Sequence, residues 1–227
     1  MIEIDRSRVL SAALFLIAIA VAAGCGQGGS GGQGAGTDAD TDADTDADTD
    51  ADTDADTDTD ADTDTTLDEI TDQVMIETSM GTFTVGLFGD AGPVTVANFL
   101  TYVDSGFYED TIFHRVIPDF VIQGGGLDEN MNALPTDPPI PLEIIPWLSH
   151  LPGVISMART SNPDSATSQF FVCVDHKPSL DGNYAAFGIV IEGYDVVEEI
   201  SLVETHSVGI HNDVPVIPVT IDAVTLL

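Results

Sequence analysis

Phe113–Gly126, FHRVIPDFVIQGGG, places an arginine among apolar side chains, in two short runs of β-branched and aromatic residues that are bounded by Pro118-Asp119 and by three glycines. Such runs read as strands. Arginine is scarce in this chain: Arg6, Arg8, Arg115, Arg159 and Lys177 are its only basic residues, against 39 acidic ones. A guanidinium is always charged and presents its donors from a rigid plane, so Arg115 in this setting calls for a chemical reason.

Outward from that stretch, composition changes sharply along the 227 residues, and one domain with appendages follows from it. Arg6 and Arg8 precede an apolar run, Val9 to Ala23, which has the form of an export signal and is short for a permanent span of about 20 residues. Ala22-Ala23-Gly24-Cys25 is similar to a bacterial lipobox, with Ala22 where leucine is usual. Residues 1–24 are therefore expected to be cleaved and Cys25 to carry lipid. Gly26, in place of the aspartate associated with inner-membrane retention, points to the outer membrane of the cell envelope. Residues 25–68 are glycine-rich and then alternate Asp with Thr or Ala, a composition that cannot offset chain entropy and is expected to form a disordered spacer. The D-x-D-x-D pattern lacks the glycine and glutamate of an EF-hand loop, so no specific metal site is expected.

The formal net charge of −34 argues against nucleic acid as a partner. Two cysteines, Cys25 and Cys173, exclude a disulfide framework, and Cys173 within FFVCV reads as a small buried hydrophobe. Residues 69–227 form the expected globular domain. VMIET, TFTVGLF, TIFHRV, FVIQG, GVISMA, FFVCV, YAAFGIVI and PVTIDAVTL read as strands, the first two as a hairpin broken at Ser79-Met80-Gly81. Val96, Phe99, Leu100 and Val103 behind Pro93, and Val196, Val197, Ile200 and Val203, have helical period. The pattern predicts a mainly β domain, a closed barrel with helical plugs. The proline-rich stretch Leu134 to Pro146 is expected to be a rigid surface loop.

Three blocks carry a family resemblance. FHRVIPDFVIQGG resembles the F-H-R-x-I-x-x-F-x-x-Q-G-G of cyclophilin-type peptidyl-prolyl isomerases. GVISMARTSNPDSATSQFFVCV resembles their G-x-x-[SA]-M-A and S-Q-F-F, and LDGNYAAFGIVIEGYDVVEEI their L-D-G, F-G-x-V and G-x-D-V-V. The resemblance covers residues 73–227 and implies a closed eight-stranded antiparallel barrel capped by two α-helices. It further implies an isomerase without cofactor or metal, a monomer acting on proline-containing polypeptides. By motif position Arg115, Gln123 and Phe120 are the catalytic residues. Val121, Phe171, Leu180 and Tyr184 join Phe120 around the proline ring, the main chain at Arg159 pairs with substrate backbone, and Ala158 and Gln169 line the adjoining groove.

Considered singly, these residues have plainer readings: Arg115 and Arg159 as solvated charges, Phe120 and Phe171 as core aromatics, His114 as a packed histidine. His150, His176, His206 and His211 show no metal-ligand spacing. Two departures from the family pattern stand out: Ser179 occupies the place of a common tryptophan, which implies weak cyclosporin binding, and Tyr184 that of a histidine. The alternatives to an active isomerase are a weakly catalytic module that binds proline segments and a surface lipoprotein whose acidic tract is the functional part.

Overall fold

The computed structural model describes residues 69–227, so the signal segment, Cys25 and the acidic repeat lie outside the described residues. Strands β1 (Asp72–Thr78) and β2 (Gly81–Leu87) form the predicted hairpin. Its turn is Ser79-Met80, closed by the Thr78 hydroxyl, which donates to Gly81 O at 2.7 Å and accepts from Met80 N–H at 3.1 Å. Helix α1 (Pro93–Asp104) starts on proline at a position where a missing N–H costs nothing. It buries Val96, Phe99 and Val103, as its period predicts, together with Thr95 and Tyr102.

The chain continues through β3 (Thr111–Ile112), β4 (Arg115–Ile117), β5 (Val121–Gly124), β6 (Val154–Met157), β7 (Phe170–Cys173), a 3-10 turn (Pro178–Leu180) and β8 (Ala186–Glu192). Helix α2 (Tyr194–Ser201), β9 (Thr205–Val208), β10 (His211–Pro215) and β11 (Thr220–Leu226) complete it. Val197 and Ile200 are the buried face of α2, with Val196 packed partly against the core.

The expected closed eight-stranded barrel is corrected by the strand order. One antiparallel sheet of nine strands runs β3-β11-β1-β2-β8-β6-β7-β5-β4, and β9 and β10 pair separately. The predicted strand TIFHRV is in fact two, β3 and β4, at opposite edges of this sheet. β3 forms a ladder with β11 alone and β4 with β5 alone; beyond that β3 makes an isolated bridge, Thr111 to Asp128, with Ile112 N–H donating to Leu127 O at 3.0 Å, so no ladder joins β3 to β4. Phe113 and His114 carry the chain from one edge to the other, and Phe113 N–H goes to Val219 O at 2.9 Å. The sheet is thus an open, curled one.

Its concave side holds the main core, in which Phe99 meets Tyr108, Phe170 and Phe187 with ring centroids 5.3, 5.8 and 5.2 Å apart. The proline-rich loop is more than surface. Glu143 accepts from Thr95 N–H and from the Thr95 hydroxyl, both at 2.9 Å, so it satisfies orphan donors at the start of α1. Ile145 is buried, and Trp147 packs edge-on to Phe88.

Candidate active site

Strand alternation divides β5, β6 and β7 between two faces. Ile122, Phe170, Val172, Ile155 and Met157 enter the main core, whereas Val121, Phe171 and Cys173 form a second, smaller cluster joined by Phe120, Ala158, Leu180 and Tyr184. The second cluster lies on the opposite face of the same strands. Burial of Cys173 there, beside the charge of Asp181, pushes its thiol up to about 12, which suits an inert apolar side chain.

The register aligns one row across the sheet. Arg115 on β4 pairs with Gln123 on β5, Gln123 pairs with Phe171 on β7, and Phe171 pairs with Ser156 on β6. β4 and β5 are joined by a tight turn, with Pro118 setting its start and Asp119 in the left-handed region at φ 56°. That turn sets the Phe120 ring 5.8 Å from the Arg115 guanidinium carbon. Arg115 Nη1 donates to Gln123 Oε1 at 3.4 Å, and Gln123 Nε2 to Gln169 Oε1 at 3.1 Å. Gly126 leaves room for this chain, since a Cβ there would overlap the Gln169 side chain.

A pocket of about 160 Å³ is lined by nine of the ten predicted residues: Arg115, Phe120, Val121, Gln123, Ala158, Arg159, Phe171, Leu180 and Tyr184. Gln169 stands behind it, in contact with Gln123. The lining combines the apolar side chains of Phe120, Val121, Ala158, Phe171 and Leu180 and the Tyr184 ring with Arg115, Gln123 and Arg159, as in a site that holds an apolar ring against a fixed donor. Phe171 and Tyr184 meet edge to face, with centroids 5.5 Å apart. Ala158 N–H is taken by Gln169 O at 2.9 Å, while Arg159 N–H finds no acceptor among the described residues. Ser179 is exposed and outside the pocket lining.

Three further residues meet behind the pocket: Ser156 and Asp181 stand inside the motif blocks G-x-x-[SA]-M-A and L-D-G without a role read for them, and His150 stands outside every block. His150 Nδ1 lies 2.7 Å from Asp181 Oδ1, and its Nε2 lies 2.9 Å from Ser156 Oγ. A ring carrying its proton on Nδ1 donates to the carboxylate and accepts from the hydroxyl. Partial burial of Asp181 opposes its ionisation, but the His150 backbone N–H and ring, with Ser149, hold its carboxyl below the usual range. Order and spacing evoke a nucleophilic triad, yet Ser156 is fully buried and lies outside the pocket lining. The His150 ring instead lies parallel to Phe171, 19° between planes and 6.0 Å between centroids, and supports that wall from behind.

His114, next to Arg115, is buried with Nδ1 unpartnered and does not line the pocket. Burial, and then the neighbouring His211, lower its pKa from 6.5 to about 4. Unfolding therefore takes up a proton below pH 6.5, and stability contributed by the neutral ring is present above that value and lost as pH falls toward 4. The expected loss is roughly 2 kcal/mol between pH 7 and pH 5. Denaturant unfolding of wild type and His114→Gln at both pH values checks this. The same loss in both proteins would assign it elsewhere.

The cyclophilin type peptidyl-prolyl cis-trans isomerase/CLD family model matches residues 73–226. Peptidyl-prolyl cis-trans isomerase A of Dickeya dadantii (strain 3937) is 45% identical over 159 residues, which are 68% of this chain and 84% of that protein. Peptidyl-prolyl cis-trans isomerase B of Escherichia coli (strain K12) is 44% identical over 161 residues, 67% of this chain and 98% of that protein. Among solved structures, a Cryptosporidium parvum cyclophilin type peptidyl-prolyl cis-trans isomerase in the presence of the dipeptide Ala-Pro has a TM-score of 0.60 and 29% identity. That match covers 68% of this chain and 98% of the other. The family model spans residues 73–226 and the two named relatives are matched over 84% and 98% of their own lengths, so this chain belongs to the cyclophilin-type peptidyl-prolyl cis-trans isomerase family.

Proposed function

We propose that the domain accelerates rotation about X-Pro bonds in polypeptides, with Arg115 as the principal catalytic residue. The observation that carries this is the Arg115–Gln123–Phe171 row: one fixed cation beside an apolar pocket that can receive a pyrrolidine ring. Rotation about the bond crosses ~18–20 kcal/mol because amide resonance must be broken, and the twisted state recovers a lone pair on the proline nitrogen. A donor held in place before the reaction binds that twisted state better than either planar one, and so lowers the barrier without a covalent intermediate or proton transfer. Gln123 orients the guanidinium, Phe120, Val121, Phe171, Leu180 and Tyr184 hold the ring, and the unpaired Arg159 N–H is suited to substrate backbone. The Ala-Pro dipeptide named with the Cryptosporidium structure supports proline-containing segments as the ligands.

A protease-coupled assay on proline peptides tests the reading. Binding of such peptides without rate acceleration would favour the non-catalytic module instead. Cyclosporin is expected to bind weakly, because Ser179 offers no indole beside the pocket, and Ser179→Trp is expected to raise inhibition. Equal inhibition of both proteins would remove that argument.

The sequence of residues 1–25 supports anchorage in the cell envelope through lipid on Cys25, with the outer membrane favoured and protein folding there as the role. A flexible chain of Gly26 to Asp68 would span about 35 Å and lift the domain off the lipid surface. Cys25→Ser is expected to release the protein from the membrane fraction or to block its processing. Unchanged fractionation would refute the anchor.

A further inference from the structure

The described residues include three cations against 22 carboxylate side chains, so the position of each cation is informative. Lys177 is held by Asp175, Nζ to Oδ2 3.0 Å. The other two, Arg115 and Arg159, line the same pocket, and no acidic side chain lines it with them. Neither arginine lies within 4.0 Å of a carboxylate among the described residues. Asp181, next in sequence to the pocket residue Leu180, is engaged by His150. A strongly acidic domain thus turns its two unpaired positive charges toward one groove.

Arg159 is held in place without any ligand. Its Nε donates to Asn183 O at 2.7 Å, its Nη1 donates to Thr160 O at 2.9 Å, and its guanidinium carbon sits 4.7 Å from the centroid of the Tyr184 ring. A guanidinium has five N–H groups, and these two bonds leave three for a partner. Exposed ion pairs are usually weak because two long side chains must be ordered to form them; here one of the two is ordered beforehand.

We propose that Arg159 is a specificity-determining residue whose guanidinium selects proline segments bearing an aspartate or glutamate beside the proline. The proposal rests on the isomerase reading of the pocket, in which Arg115 is occupied with the rotating bond and Arg159, at the Tyr184 flank, faces a neighbouring side chain. The excess of carboxylates elsewhere repels acidic segments at long range, so the preference has to arise in contact. It is therefore a property of this one side chain.

The test uses the full-length protein and peptide pairs that differ only in Glu against Gln, placed either just before or just after the proline. At one of these positions the Glu peptide is expected to show kcat/KM about three- to fivefold higher, the range of a partly solvated charge pair, mainly through KM. The ratio should shrink as salt is raised. Arg159→Gln should bring the ratio to about one, and Arg159→Glu should turn it in favour of Gln. A ratio of one at both positions in the wild type, or a Glu preference that survives Arg159→Gln, would overturn the proposal. Absence of turnover on every peptide would refute the isomerase reading instead. The Glu-to-Gln comparison is then made on Kd for the same peptides: tighter Glu binding that is lost in Arg159→Gln supports the proposal, and equal binding in the wild type overturns it.

Discussion

Arg115→Ala is expected to lower kcat/KM for proline peptides by about 10²–10³, the loss seen when one preorganised donor is removed from a site, or roughly 2.7–4 kcal/mol of transition-state stabilisation. Stability should change little, because Arg115 is a half-buried residue that faces the pocket while its neighbour Val116 faces the core. Arg115→Lys should restore only part of the rate, since an ammonium keeps the charge and loses the planar donor geometry that meets Gln123. The rate should be flat from about pH 6 to 9, as the mechanism moves no proton. His114, the titratable residue beside Arg115, has a pKa of about 4 and lies outside the pocket lining, so it leaves that range undisturbed. A folded Arg115→Ala protein with near-wild-type activity, or a bell-shaped pH profile, would refute the mechanism.

The second large effect is on stability. His150→Ala is expected to cost about 3–5 kcal/mol, because it leaves the fully buried Ser156 hydroxyl without its ring partner, removes a hydrogen bond to a carboxylate and opens space behind Phe171. For a domain of this size that is a fall in Tm of roughly 10 °C. The double variant His150→Phe, Ser156→Ala should be markedly less harmful. It removes both buried polar partners together and leaves Asp181, whose side chain is 33% exposed, with water. Thermal denaturation of the two variants separates the two causes: equal losses would mean that the ring's lost hydrogen bonds account for the effect, and that its volume and the orphaned hydroxyl do not.

The local pieces of this fold are legible in the sequence wherever one period dominates. α1 and α2 follow their 3.6-residue stripes, and each predicted strand run contains a strand. The site follows too, because the blocks around Arg115, Phe171 and Leu180 resemble a family and period-2 alternation separates Val121, Gln123 and Phe171 from Ile122, Phe170 and Val172. β9 and β10 are not legible in this way, since THSV and HNDVP are mostly polar and give no apolar alternation to read.

Three things were decided only in the tertiary structure. The sheet stays open because β3 and β4, two residues apart in the chain, go to different edges: β4 makes a local hairpin with β5, whereas β3 pairs with β11, a distant partner that no local pattern specifies. His150 finds Ser156 six residues away and Asp181 31 residues away, spacings that match no helix or strand period and acquire meaning only when β6 and the 3-10 turn converge. Arg159 and Tyr184 likewise become a charged flank of the pocket only by stacking across 25 positions. Sequence by itself determined which faces are apolar, because burial is written in side-chain period. Which backbone edges pair, and which polar groups meet across long loops, depends on contacts between distant segments, and these exist only once the chain is folded.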